Sequence, residues 1–396
     1  MRIACCLAVA FAVLAACGDN IHPQETPDAA STVDAPTGFV EATHQAAPQV
    51  QSGGGPVLAS PKVQPIFFST DSDAEATLED LLHMMVGSTY WQAVGTEYGV
   101  GDLTVLPSIV STDTPPTTDD DLQTWLGTQF PTPDPSTIYT VYLPMGVTLT
   151  EGNSASCTSF AGYHSETDAG MVYALIPRCT SNVFSGPLDV VTYATSHELL
   201  EASTDPHPFS DPAYTEIDQD HLAWGRTPGA ELGDMCEYVD AAFQPLVGNY
   251  LVQRTWSNAS AAAGHDPCVP VLAGPYNGAA PNLPDLTITT HGGQQVMTKG
   301  ITANLNQPVD LEVDLFTDAP QPTLYTVAAY DAAQFNGSAP NFRFTWQKYF
   351  GTNGDKLNLT ITRTVAGNGH TNEIVIFGQN GQGQTVSEWW AYVAGQ

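Results

Sequence analysis

The sequence predicts a mixed α/β (α+β) domain followed by an all-β sandwich, and three observations lead there. Strand-like and helix-like runs interleave through residues 53–270, the pattern of helices packed on a sheet. From residue 285 to the end apolar and polar residues alternate, with no convincing helix, which suits sheet packed on sheet. Between them, residues 271–284 are rich in Pro, Gly and Ala and carry no charged side chain, the composition of a linker.

The chain begins with an export signal. Arg2 supplies positive charge, residues 3–16 are almost purely apolar, and Leu14-Ala15-Ala16-Cys17 closes the run with small residues before a cysteine. Such a run is too short to span a bilayer and has the layout of a secretory signal. It resembles a bacterial lipobox, which implies removal of residues 1–16 and acylation of the Cys17 thiol; the alternative is an ordinary secretory signal. Gly18 stands where an inner-membrane retention signal usually places Asp, which favours the outer membrane. The expected location is the bacterial cell envelope, periplasmic or surface-exposed. No later segment reaches spanning length, so the lipid is the only expected contact with the membrane. Residues 17–52, rich in Pro, Ala, Thr, Asp and Gln, read as a disordered tether, because they cannot bury enough apolar surface to offset ordering entropy. As a flexible coil, about 35 residues span roughly 30–35 Å.

Within 53–270 the elements follow from local pattern. Gly53-Gly54-Gly55 ends the tether, and Val63 to Phe68 reads as a buried strand. Asp73 to Val86 places Leu78, Leu81, Leu82 and Met85 at helical spacing. Asp119 to Phe130 is a second helix, and Ile138–Leu143 and Met171–Ile176 are strands. Pro187 to Ser203 is the strongest helix, with Pro187 suited to its first turn and Asp205-Pro206 marking its stop. Residues 250–268 read as a final strand and a small-residue segment. In the last region Val309, Leu311, Val313 and Leu315 alternate with acids, and Phe342, Phe344 and Trp346 alternate with Arg343 and Thr345. With Leu357–Ile361, 286–290, 324–330, 373–377 and 387–393, this makes about seven strands, the number a sandwich needs.

Composition narrows the partners. The chain carries 10 basic and 42 acidic residues, a net charge of −32. A polyanion repels phosphate backbones, so nucleic acid is excluded as a partner. Of seven cysteines, Cys5 and Cys6 leave with the signal and Cys17 takes lipid. The remaining four in an exported chain imply two disulfides. Cys157–Cys179 and Cys236–Cys268 are favoured because they close local loops. A zinc site of four thiolates is disfavoured, since no close C-x-x-C pair occurs.

The residues that could carry chemistry lie in Ser196-His197-Glu198-Leu199-Leu200-Glu201-Ala202-Ser203-Thr204-Asp205-Pro206-His207. His197 and Glu201 are i and i+4 on a helix and share a face with apolar Ala194 and Val190, so that face points inward. A buried His–carboxylate pair needs a partner, and Zn²⁺ is an efficient one. In H-E-x-x-H enzymes the residue at the Glu198 position is the general base; here Glu201 replaces the second His. For the third ligand two candidates remain. Glu231, in Gly229-Ala230-Glu231-Leu232-Gly233-Asp234-Met235-Cys236, is placed like the downstream Glu of gluzincin-type sites and comes first. His207 has metzincin-type spacing, but Thr204 occupies the position where those sites have Gly. Asp205, Asp234 and His164 read as surface polar residues.

Residues Gly53 to Cys268 resemble the EXORDIUM, or phosphate-induced, family of plant cell walls, which has bacterial relatives. The matching pieces are Gly54-Gly55-Pro56-Val57, Tyr90-Trp91 with Tyr98, and Cys157 with Gly162-Tyr163-His164. They continue with His197-Glu198-Leu199-x-Glu201, Thr204-Asp205-Pro206, and Glu231 ahead of Cys236. The resemblance covers just over half the chain, and its specific part is the block His197–Pro206. It implies extracytoplasmic residence and a shared zincin-like helix, in a family whose activity is poorly defined.

The expected function is metal-dependent hydrolysis, of peptide bonds first, with a peptide or cell-wall substrate. Glu198 is the expected base, and His197, Glu201 and Glu231 the expected zinc ligands. The rival is a non-enzymatic surface binding or adhesion lipoprotein with a structural or vestigial ion. A site roofed by the chain favours the rival.

Overall fold

The computed structural model describes residues 38–395, apart from 72–73, 182, 228, 291–292, 321–322 and 368–370. The signal segment and Cys17 therefore lie outside the described residues. Among the described residues, no helix is long and apolar enough to cross a membrane.

The first domain is built on a mostly parallel sheet. Its order is Thr104–Val105, Lys62–Phe68, Thr137–Leu143, Val172–Pro177 and Tyr163–Glu166, with Ile109–Ser111 also paired to Lys62–Phe68. All pairings are parallel except the last, so Tyr163–Glu166 is an antiparallel edge strand. Every residue of Thr137–Leu143 and Val172–Pro177 is buried, as expected of central strands covered on both faces. Side chains alternate between those faces. Ile66, Phe68, Val141, Tyr173 and Leu175 meet Leu122 and Leu126 of the helix Asp119–Gln129. Val63, Phe67, Ile138, Tyr142, Ala174 and Ile176 join the main core with the other helices. Those are Glu75–Met85, which buries the expected Leu78, Leu81, Leu82 and Met85, then Thr89–Tyr98 and Asp189–Thr204. Both disulfides are the expected ones: Cys157–Cys179 and Cys236–Cys268, over separations of 22 and 32 residues.

The second domain is a β-sandwich. Its smaller sheet runs Asn277–Pro281, Pro308–Thr317, Lys356–Arg363, Phe342–Trp346. Its larger sheet runs Asp285–Thr289, Gln295–Thr302, Thr385–Ala394, Asn372–Gln379, Tyr325–Asp331, Phe350–Gly351. All pairings are antiparallel but one, Gly300 to Thr302 against Tyr392 to Ala394. The seven expected strands are present. Asn277–Pro281, expected as part of the linker 271–284, is instead a fully buried strand against Pro308–Thr317. Its small apolar residues let the two sheets approach closely.

The expected tether 17–52 also ends early. Residues 38–52 pack across both domains. The Ala42 amide donates to Asn353, and His44 stacks on Phe316 at 3.6 Å. The Gln49 amide donates to Asp218 at 2.7 Å, and Val50–Ser52 pairs with Tyr214–Ile217. Backbone pairing and buried Val50 supply what composition alone did not promise.

The domains share an interface rich in aromatic rings: Trp224 meets Trp389, and Tyr238 meets Trp390 and Phe335. Thr227 donates to buried Glu373, and Arg226 lies 3.4 Å from the same carboxylate. Burial outweighs these partners and pushes the Glu373 carboxyl up to about 7. An acid whose folded pKa is raised binds its proton more tightly when folded. Its contribution is favourable at low pH and is lost as pH rises from about 4.5 through about 7, a change on the order of 3 kcal/mol. Glu373→Gln is therefore expected to melt above wild type at pH 8 and not at pH 5. Parallel melting-temperature curves for the two proteins between those pH values would contradict this.

Candidate metal centre

The site helix Asp189–Thr204 is buried along nearly its whole length; only Asp189 and Tyr193 escape. The sequence suggested one inward face, but the helix is covered all round. Its hydroxyls tolerate this by bonding back to its own carbonyls: Thr195 to Val191, Ser203 to Leu199 and Thr204 to Leu200. The helix stops at Asp205, whose Oδ1 accepts from the Ala213 amide at 2.6 Å.

Three segments converge on it. The helix supplies His197, Glu198, Glu201 and, at its end, Asp205. The edge strand supplies His164. The loop leading to Cys236 supplies Glu231 and Asp234. All seven are buried, His164 being the most exposed at 8%. His197 Nε2 lies 3.1 Å from Glu201 Oε2 and 3.6 Å from Asp234 Oδ1. His164 Nδ1 lies 3.5 Å from Glu198 Oε2 and 3.7 Å from Glu201 Oε2. His164 Nε2 lies 3.4 Å from Glu231 Oε1.

Surrounding bonds fix these groups. Gln253 donates from Nε2 to the Gly233 carbonyl at 2.7 Å, so its Oε1 faces His197 and accepts from Nδ1 at 2.9 Å. Glu201 Oε1 accepts from the amides of Gly233 and Asp234 at 3.0 and 3.1 Å. Close approach requires glycine at two positions. A Cβ on Gly233 would fall 2.7 Å from both Glu201 Oε1 and His197 Nδ1, and one on Gly162 would fall 2.9 Å from Glu198 Oε1. Two small cavities lie elsewhere, one against Leu78 and Tyr142 and one against Trp224 and Trp256. The cluster is roofed by the chain.

Its electrostatics are those of packed acids. Burial raises the Glu198 and Asp205 carboxyls, and it raises Glu231 and Asp234 well above the usual range. For Glu201, burial is outweighed by His197, His164 and the Asp234 amide, which hold it low. Burial alone would lower the His164 pKa, but Glu231, Glu198 and Glu201 together raise it to about 10.

The donor set suits a borderline cation such as Zn²⁺: imidazole nitrogen with carboxylate oxygen. Among the described residues, three groups of ligand-type atoms lie within 4.8 Å of one another. They are His197–Glu201–Asp234, His164–Glu198–Glu201 and His164–Asp205–Glu231. Glu198 Oε1, Asp205 Oδ2, Glu231 Oε1 and Asp234 Oδ2 are buried without a hydrogen-bond partner, as expected of atoms that face a cation. His197, Glu198 and Glu201 thus converge as the sequence suggested. Glu231 reaches the cluster but stands beside His164; Asp234, three residues on, groups with His197 and Glu201, because the tight turn Asp234–Cys236 aims it there. His207 stays outside: its Nδ1 lies 2.9 Å from Glu166, which also holds Ser210 and so fixes a turn. His164, Asp205 and Asp234, read as surface residues, are buried parts of the site. For His164 the available signal was the Gly162-Tyr163-His164 motif.

No family model matches the chain, and no curated protein matches it. Among solved structures, it is similar to the titin M3 domain at 15% identity and a TM-score of 0.17, over 29% of this chain and 96% of that one. It is also similar to domains 4 and 5 of the S-layer protein SbsC at 10% identity and a TM-score of 0.18, over 36% and 83%.

Proposed function

We propose that this chain is an exported, lipid-anchored envelope protein, related to the EXORDIUM family, whose first domain is a zincin-like domain with a closed zinc centre. Arg2, the apolar run 3–16 and Cys17 support the anchor. The H-E-x-x-E helix beneath a parallel sheet with an antiparallel edge strand supports the zincin-like reading.

The observation that carries the metal is one of charge. Five carboxylates and two imidazoles are buried together, and among the described residues neither Lys nor Arg is one of their ion-pair partners. Uncompensated buried charge is costly, and a divalent cation removes the cost. His197, Glu201 and Asp234 would hold the ion. Bound there, zinc supplies charge compensation and Lewis acidity. The chain does the remaining work: Gln253 sets the His197 tautomer, two amides fix Glu201, and Gly233 and Gly162 allow close approach.

The roofed surroundings favour a structural ion that ties the helix to the disulfide-bearing loop, and a non-enzymatic role in surface binding or adhesion. One observation favours a second reading, peptide hydrolysis: Glu198, the residue placed as general base, keeps Oε1 free of hydrogen-bond partners beside the ligands.

The test uses the full chain in detergent, with and without chelation, against a mixed peptide library. The structural reading expects chelation to lower the melting temperature and the loaded protein to cleave nothing. Metal-dependent cleavage lost in Glu198→Gln would replace it with the hydrolytic reading. A melting temperature indifferent to chelation, with no cleavage, contradicts both.

A further inference from the structure

We infer that the cluster is a two-cation site in which Glu201 is shared between the ions; this rests on the metal reading above. His164 Nε2 faces the Asp205 carbonyl at 3.1 Å. A carbonyl only accepts, so Nε2 carries a proton, and the neutral ring, the form that binds a cation, presents its Nδ1 lone pair to the cluster. His197 is held the other way round: Nδ1 donates to Gln253 and Nε2 presents the lone pair. Each ring has the arrangement of a metal ligand, with its far nitrogen tied to an oxygen acceptor. Glu231 Oε1 lies 3.4 Å from His164 Nε2, an ion-pair neighbour on the side away from Nδ1.

Both lone pairs converge on one oxygen. Glu201 Oε2 lies 3.1 Å from His197 Nε2 and 3.7 Å from His164 Nδ1. A single zinc cannot take both rings as placed. Its ligand atoms stand about 2.0–2.2 Å from the metal and so within about 4.4 Å of each other, whereas no group within 4.8 Å contains both imidazoles. Of the three groups, His164–Asp205–Glu231 lies beside the protonated Nε2, which leaves His197–Glu201–Asp234 and His164–Glu198–Glu201, with Glu201 in both. Each of these two groups contains one buried carboxylate oxygen without a hydrogen-bond partner, on Asp234 and on Glu198; Asp205 Oδ2 and Glu231 Oε1, beside His164 Nε2, lack one too.

Charge points the same way. One divalent ion among five carboxylates leaves a large buried negative excess, and a second nearly removes it. Paired cations bridged by protein oxygens are an established arrangement at acid-rich sites. Glu198 then ligates the second cation in the closed state.

The test is zinc stoichiometry by mass spectrometry on the full chain in detergent, loaded with zinc and passed over a chelating resin to strip surface ions. Wild type and His207→Ala are expected to keep two ions per chain. His164→Gln is expected to keep one; its amide can still donate to the Asp205 carbonyl, but a neutral amide oxygen is a far weaker zinc ligand than the imidazole nitrogen. Glu198→Gln, of nearly the same shape, is expected to lose the same ion. One ion in wild type overturns the second cation and leaves the first standing. None overturns the metal reading itself. Two ions retained in both His164→Gln and Glu198→Gln overturn the assignment of these ligands.

Discussion

His197→Ala is expected to abolish tight zinc binding at its centre and to destabilise the first domain by about 3–5 kcal/mol, the cost of leaving a buried charge without its partner. The physical cause is visible around the ring. Removing it deprives Glu201 Oε2 of a neighbour at 3.1 Å and leaves Gln253 Oε1 without its donor in a closed interior. For a domain of this size that loss is about 10 °C in melting temperature. Gln253→Leu should weaken zinc by about 10–100-fold while leaving the ligands in place, because it releases the ring and the Gly233 carbonyl that Gln253 holds. Isothermal titration on metal-stripped protein measures both. A His197→Ala protein with wild-type zinc affinity and melting temperature contradicts the assignment.

The second large effect lies away from the acids. Arg254 is fully buried and ties residues 266–270 to Ala241. Its Nε donates to the Pro270 carbonyl at 2.8 Å, its Nη2 to Asp266 and the Cys268 carbonyl, and its Nη1 to the Ala241 carbonyl at 3.2 Å. It therefore anchors the segment that bears Cys268, whose disulfide partner Cys236 follows closely on Asp234. Arg254→Ala leaves buried Asp266 without its cation and several carbonyls without a donor. A loss of about 3–5 kcal/mol is expected, measured by urea unfolding under non-reducing conditions. A loss below about 1 kcal/mol, the scale of a surface pair, would contradict the anchoring role.

Much of this architecture was legible because local pattern and tertiary need agreed. The period-two residues 309–315 and 357–361 had no other way to bury one face, and they pair as neighbouring strands. Leu78, Leu81, Leu82 and Met85 announced their helix in the same way. Both disulfides followed from the short separations within the two cysteine pairs. The helix Thr89–Tyr98 was missed because Thr, Tyr and Trp at its start favour strands. Burial of Tyr90, Trp91, Val94 and Tyr98, and a Ser88 cap on the Trp91 amide, override that preference. The segment 38–52 was missed because its order comes from partners as distant as Phe316 and Asn353, which its composition does not encode.

The site divides along the same line. His197, Glu198 and Glu201 were readable because helical spacing fixes their relation. His164 was not, because a four-residue edge strand has no periodic signal and its neighbours on the helix are distant in sequence. The choice between Glu231 and Asp234 turned on one tight turn, Asp234–Cys236, which spacing along a loop does not reveal.

The central claim is that the buried acids and imidazoles surround a metal ion. Anomalous diffraction at the zinc edge, on crystals of the full chain, tests it directly. The account predicts a strong anomalous peak within coordination distance of His197 Nε2, Glu201 and Asp234, and a second beside His164 Nδ1. Crystals grown with zinc that show anomalous peaks only on exposed carboxylates, and none within the cluster, would contradict it.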